Sequence, residues 1–415
     1  MHVQASEVKN TAYQEKSIPI WQHANFMILL VSGAIISFGS KIYELALPLL
    51  LYQLTNSPVV MSTMRGIEFL PNLLLAMFIG VLVDRAHKKK WSLWTIFLQA
   101  IILIILYFSV QLGNHSTVLF YICGFFLMTF SYAFFNARMS MVKQALPTEM
   151  LTQANASFNF IFTFISIMGP ALTGLILLLS SIQTGLLLTA ISFGVAFLIL
   201  LLLKTDEDIS LTKKVGFWKE LKEGWVELFH NRTLWMITIA VIFLNSTAGM
   251  VDTTIIFYSK DVLKLSDAQL GTLLSSVGLG GLIGSLLIGK VRKLWDTGRI
   301  ITVTTLLIGF TYLMMYLSNS PLIFAIGLCL NGILTTISSV CIWTYRQEST
   351  PHHLIGRISG ITGSVFKLSM PFAIFAAGWI SELSNPSHVF MISFIGNTII
   401  FIFCRNSLLW TNRHT

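Results

Sequence analysis

The sequence predicts an all-α membrane protein of twelve transmembrane helices in two six-helix bundles. Three observations carry that reading. Hydrophobic residues make up 54% of the 415 residues and charged residues only 11%. A soluble domain carries about 25% charged residues, so this chain could not cover a water-facing surface. Its apolar stretches run on for about 20 residues, the length of a helix that crosses a bilayer, and do not alternate over about 10 as barrel strands do. The cations fall in the gaps between these stretches. The spans must be helical, because a helix in lipid satisfies its own backbone hydrogen bonds.

The twelve apolar spans cover about 25–54, 59–83, 91–112, 117–137, 155–180, 183–204, 233–258, 269–290, 299–317, 321–344, 358–382 and 387–404. Residues 1–23 are polar, and the first apolar run is too long for a signal h-region, so it is expected to remain as a span. This divides the chain into an N-terminal bundle (1–204), a linker (205–232) and a C-terminal bundle (233–415). With the N-terminus inside, cytoplasmic segments hold 22 of the 27 lysines and arginines. External loops hold two, Lys260 and Lys264, and the other three lie in spans. Basic loops stay cytoplasmic, so both termini are expected inside. The same placement accounts for the net charge of +9 without a nucleic-acid partner. The linker carries Trp218, Leu221, Trp225, Leu228 and Phe229 on one helical stripe, which reads as an amphipathic helix on the inner membrane surface.

The halves read as weak repeats. Ile79-Gly80 closes span 2 and Ile288-Gly289 closes span 8, with basic residues after both. The loop from Gln144 to Leu151 after span 4 is echoed from Gln347 to Leu354 after span 10. Repeated halves are the mark of a transporter that rocks around a central site.

Ionisable side chains inside spans are costly, so each is a functional candidate. Lys41 and Glu44 lie in span 1, Arg65 and Glu68 in span 2, Asp252 in span 7 and Lys367 in span 11. Spans 1 and 2 form a hairpin around Asn56. Counting outward from that turn brings Lys41 level with Glu68, and Glu44 level with Arg65, to within about 4.5 Å of depth. A four-residue network across the two helices is therefore expected, against the plainer alternative of two local pairs. Asp252 and Lys367 have no local counter-charge, and burial favours the neutral form of either. Each could then exchange a proton or touch substrate. No nucleophile–base constellation and no G-x-x-x-x-G-K-S phosphate loop occurs, so neither an enzyme nor an ATP-driven pump is expected. His352-His353 and the four cysteines lack metal-ligand spacing, and no metal or cofactor is expected. The expected partners are a small-molecule substrate, protons and the bilayer, with a monomer as the simplest assembly.

One stretch is more specific. Residues 80–90 read G-V-L-V-D-R-A-H-K-K-K. Gly80, Leu82, Asp84, Arg85, Lys88 and Lys89 match G-x-L-x-D-R-x-G-R-K-x, the loop between helices 2 and 3 of the major facilitator superfamily, and His87 stands where that family usually has glycine. In span 5, Gly169, Pro170 and Gly174 resemble part of the family's antiporter signature, with Ile165 in place of its first glycine. The segment from Phe134 through Arg138 to Leu146-Pro147 and Ala154-Asn155-Ala156 resembles the branch of macrolide efflux proteins and enterobactin-type siderophore exporters. The resemblance implies two six-helix bundles, alternating access and export coupled to protons in a bacterial inner membrane. It also implies that Asp84 and Arg85 act as an inner latch against the N-terminal end of span 11. The family's arginine midway along helix 4 is absent, which moves the expected coupling role to Glu44, Glu68 and Asp252. A siderophore or similar bulky amphiphile is the first expectation for the cargo. A macrolide or other drug is the alternative, followed by nutrient import or lysophospholipid flipping.

Overall fold

A computed structural model describes residues 20–75, 78–79, 82–83, 86–113, 116–146, 150–179, 181–204, 217–350 and 355–411. Helix α1 (Ala24–Thr55) stops at Asn56, whose φ of 49° is the left-handed conformation that asparagine tolerates. Helix α2 (Pro58–Leu74) starts at once: Ser57 accepts the Val60 N–H, and Pro58 occupies the first turn. The tight α1–α2 hairpin expected around Asn56 follows from these three residues. Helices α3 (Lys88–Gln111), α4 (Thr117–Ala145), α5 (Leu151–Leu179) and α6 (Ile182–Leu201) complete the first six. Helix α7 (Phe217–His230) lies in the linker. Then come α8 (Arg232–Asp261), α9 (Asp267–Leu294), α10 (Thr297–Leu317), α11 (Pro321–Glu348), α12 (Ile355–Val365), α13 (Met370–Leu383), α14 (Ser387–Arg405) and the short α15 (Leu408–Thr411).

Eleven stretches of the described residues are long and apolar enough to cross a membrane. Helix α2, with 17 residues, supplies the twelfth span. Within the first six, α1 packs on α5 and α6, and α3 packs on α4 and α6. Within the second six, α8 packs on α13 and α14, α9 on α11, and α10 on α11 and α14. Two seams join the bundles: α2 lies against α13, and α5 lies against α9.

Two expectations need correction. Span 11 is not one continuous helix, because a turn at 366–369 separates α12 from α13. Pro371 has no N–H, so the Lys367 carbonyl loses its helical donor and takes the Met370 N–H at 3.2 Å instead. That strands the Phe366 carbonyl, which Asn245 Nδ2 of α8 caps at 2.8 Å. Ser369 Oγ meets Ser246 Oγ and the Ile242 carbonyl, again on α8. Irregular backbone at membrane depth is tolerated when protein groups satisfy it, and α8 supplies them.

The linker helix, second, does not lay its apolar stripe on lipid alone. Leu228 is buried against Leu234 of α8 and Ile358 and Ile361 of α12, with Trp225 and Trp235 on the same cluster. Phe229 sits at the edge, 56% exposed, with its ring 5.5 Å from Trp225 and 4.5 Å from Trp235. The short inner piece of span 11 needs cover on its free side, and α7 provides it. The side chains of Trp218 and Leu221 lie outside the described residues.

Candidate functional site

The ends assigned to the outside by the cation distribution are called outer ends here. Between α1 and α2, midway along both, lie four charges. Lys41 Nζ is 2.6 Å from Glu44 Oε2, and Arg65 Nη1 is 2.9 Å from Glu68 Oε2. Both ion pairs close within one helix, three residues apart, where side chains share a face and little entropy is lost. The cross-helix pairs Lys41–Glu68 and Glu44–Arg65 are not formed as direct contacts. The two helices are linked instead by Tyr43 Oη, which donates to Glu68 Oε1 at 2.6 Å, while the charge of Glu44 still acts on Arg65. Tyr43 was invisible to a search for charges. The two pairs differ in access: the Glu68 side chain is 3% exposed, whereas that of Glu44 is 37% exposed.

Asp252 is the one exposed residue of α8 between Leu244 and Ser259. Its flanks, Val251 and Thr253 to Ser259, are buried. The charges of Arg65 and Lys41, from the other bundle, reach it. A side chain open to solvent on an otherwise buried stretch, and within reach of the opposite bundle's cations, faces the space between the bundles. Counting along the helices, Asp252 lies nine residues from the end of α8 and Arg65 seven from the start of α2, so about 13 and 10 Å below the outer ends. The charge of Asp252 also reaches Tyr312 of α10, which lies near Asn331 of α11. Asn331 in turn donates to Thr311 Oγ1 at 3.0 Å.

Lys367 stands in the turn that breaks span 11 and makes no ion pair among the described residues. It precedes α13, so its cation is added to the positive end of that helix, an arrangement that an anion would relieve.

The span 5 glycines bring backbones together. A Cβ on Gly169 would stand 3.1 Å from Lys41 Cγ, so this glycine lets α5 lie on the Lys41 stem. A Cβ on Gly174 would stand 2.8 Å from the Asp267 carbonyl and 3.0 Å from Gly271 Cα. One on Gly278 would meet Ile167 Cα at 2.6 Å. Pro170 stays inside the unbroken α5. This α5–α9 seam occupies the outer halves of both helices. On the other side of the molecule Ser57 Oγ donates to Glu382 Oε2 at 2.7 Å, and Tyr52 lies near Asp261. Gly66 lies against the Pro371 carbonyl, and Gly378 against Ser62. The outer ends of the two bundles are thus held together at both seams. Sequence reasoning missed Tyr52, Ser57, Asp261 and Glu382, since polar residues beside short loops carry no distinguishing signal.

Of the proposed gating loop, Gly80, Asp84 and Arg85 lie outside the described residues. Lys88 opens α3. Lys89 Nζ donates to the Leu201 and Leu203 carbonyls at 2.9 and 2.6 Å, fastening the start of α3 to the end of α6. Arg138, at the inner end of α4, is 3% exposed and held among the rings of Phe135, Phe158 and Phe162 at 4.5–5.2 Å, a cation–π cage.

The family model described as Major Facilitator Superfamily matches residues 29–374. The chain belongs to this superfamily. The spans and the bacterial relatives of this superfamily member fit a multi-pass protein of a bacterial inner membrane. It is 22% identical over 385 residues to macrolide efflux protein A of Streptococcus pyogenes, covering 91% of this chain and 94% of the relative. It is 26% identical over 293 residues to the enterobactin exporter EntS of Escherichia coli, covering 69% of each chain. The multidrug efflux pump Tap of Mycolicibacterium fortuitum is 23% identical, covering 88% of this chain and 91% of that one. Among solved structures, a bacterial homologue of the iron transporter ferroportin in an inward-facing state superposes with a TM-score of 0.74 at 14% identity, covering 94% of this chain and 99% of that chain. The nucleoside transporter NupG superposes at 0.76 and 10% identity, covering 94% of this chain and all of that one. These likenesses establish the fold.

Proposed function

We propose that this superfamily member exports a bulky amphiphile by alternating access, driven by protons, with both termini in the cytoplasm. The observation that carries the reading is Asp252: a carboxylate in the space between the bundles, without an ion pair, within reach of cations on the opposite bundle. A carboxylate so placed can be neutralised by a proton or by a cationic group, and can exchange one for the other as access alternates. The outer ends are held by the two seams, so the cargo enters from the inner side. The two bundles, taken as 1–204 and 233–415, rock against each other, and the inner latch is formed by Asp84 and Arg85. The efflux roles named for three relatives, macrolide, enterobactin and multidrug, support the direction of transport.

The first reading of the cargo is a siderophore or similar anionic amphiphile. Its carboxylate would lie at Lys367 and the start of α13, where a cation and a helix dipole coincide. The second reading, a cationic macrolide-type drug, is favoured by a different observation. Lys41 and Arg65 are already paired with Glu44 and Glu68, which leaves Asp252 as the unmatched charge of the central cluster. A strain lacking the gene separates the two. Loss of iron chelator from the medium with normal ethidium efflux supports the siderophore. Ethidium retention with normal chelator supports the drug. Normal levels of both would remove the export reading.

A further inference from the structure

We propose that the inner end of the α3–α6 groove binds one anionic phospholipid, a site distinct from the transport path and independent of which cargo is carried. The groove is a cavity of about 300 Å³ lined by Lys90, Leu93, Trp94, Phe97 and Phe197. Lys90, Trp94 and Phe97 follow one another at i, i+4 and i+7, so they form one stripe along α3. Trp94 and Phe97 are 63% and 43% exposed, and their rings meet edge-on at 6.0 Å. Phe197, from the last turns of α6, closes the groove 6.1 Å from Phe97. Among the described residues, the helices packed closely on α3 and α6 belong to the first bundle. This wall therefore faces lipid and not the second bundle.

The charge at the mouth of the groove selects the occupant. Three lysines, Lys88, Lys89 and Lys90, occupy the first turn of α3, which holds no acidic residue, and of these Lys88 and Lys89 already have partners. Cations at a helix N-terminus repel the positive end of its dipole, and an anion there relieves them. Lys89 is committed to the Leu201 and Leu203 carbonyls. Lys90 has no ion pair or hydrogen bond among the described residues and tops the apolar groove. A phosphodiester headgroup at Lys90, with an acyl chain over Trp94, Phe97 and Phe197, satisfies both the charge and the apolar wall. A neutral lipid satisfies only the wall, and a free phosphate only the charge. Basic pockets between helices at the cytoplasmic face hold anionic headgroups in this way.

The test uses the full-length protein in detergent, titrated with phosphatidylglycerol, phosphatidylcholine or inorganic phosphate and followed by native mass spectrometry. The expected result is one retained phosphatidylglycerol, with affinity about fivefold lower in Lys90→Ala, the share of one lysine at a membrane surface. Phosphatidylglycerol with brominated chains should quench tryptophan fluorescence in the parent protein more than in Trp94→Phe. Equal retention of phosphatidylcholine would overturn the proposal, as would unchanged retention by Lys90→Ala. Competition by inorganic phosphate at the same concentration would reduce the site to an anion site without a lipid. Trp94→Phe quenched as strongly as the parent would move the lipid elsewhere.

Discussion

The two halves of the molecule treat the charges midway along their spans differently. In the N-terminal half the four between α1 and α2 are matched: Lys41 with Glu44, and Arg65 with Glu68, which Tyr43 also holds; Arg138, at the inner end of α4, is held by aromatic rings instead. In the C-terminal half Asp252 and Lys367 form no ion pair among the described residues. The halves differ in backbone too. Both carry a proline midway along a corresponding helix, Pro170 in span 5 and Pro371 in span 11. Helix α5 runs through Pro170 unbroken, while span 11 breaks just before Pro371. A proline removes one helical bond in either place. Around span 11, α8 offers Asn245 to the loosened Phe366 carbonyl and Ser246 to the Ser369 hydroxyl. Around span 5, Pro170 lies against the glycine-lined face of α9, where the two backbones meet closely. At span 11 the break is matched by a partner helix that receives the freed carbonyl. The α1–α2 face of the N-terminal half reads as internally neutral, and the C-terminal half as the side whose charges are free to work.

That comparison can be broken at several points. The largest expected effect is at Asp252: Asp252→Asn should lower active export by tenfold or more, a change of about 1.4 kcal/mol or greater in the driving interaction, with expression and thermal stability unchanged. Export at the parent rate would make both halves equally passive. Next, Gly174→Leu should block the cycle, because its Cβ already meets the Asp267 carbonyl, and membrane transport should fall severalfold. Accessibility labelling of a cysteine placed at the outer seam should rise. If labelling stays at the parent level, the seam is not a contact that opens.

Smaller effects test the pairing. Exchanging the two charges within one helix, Lys41→Glu with Glu44→Lys, should restore most of the transport lost by either single change. Exchange across helices, Glu44→Lys with Arg65→Glu, should restore less, since those groups are not in direct contact. The reverse order would favour the cross-helix network. The smallest effect is at Tyr43. Tyr43→Phe removes one buried hydrogen bond to Glu68 and should cost about 1 kcal/mol of stability, read as a lower unfolding temperature in detergent with transport largely retained.

The fold was legible because bilayer thickness and the cation distribution act on whole segments, and no single side chain can mask them. The span 5 glycines stood out in sequence as part of a signature, and the structure shows that they let α5 lie close against its neighbours. What sequence could not supply was azimuth. Lys41 and Glu44 are close in depth to Arg65 and Glu68 whichever way the helices are turned, so depth alone could not choose local pairs over crossed ones. Tyr43 and Asn245 act through uncharged groups, and nothing in the order of residues sets them apart from other polar side chains in spans. The break in span 11 was hidden for a related reason. Pro371 signals a weakened bond, but the outcome depends on Asn245, more than a hundred residues away.

The most direct test of the account is active transport in inside-out membrane vesicles, using whichever of the two probes, chelator or ethidium, the deletion strain fails to export. The parent protein should accumulate the probe only while a proton gradient is imposed. Asp252→Asn should lose that accumulation but still equilibrate the probe down its own gradient. Gradient-driven accumulation by Asp252→Asn at the parent rate would contradict the assignment of proton coupling to the unmatched carboxylate of the C-terminal half.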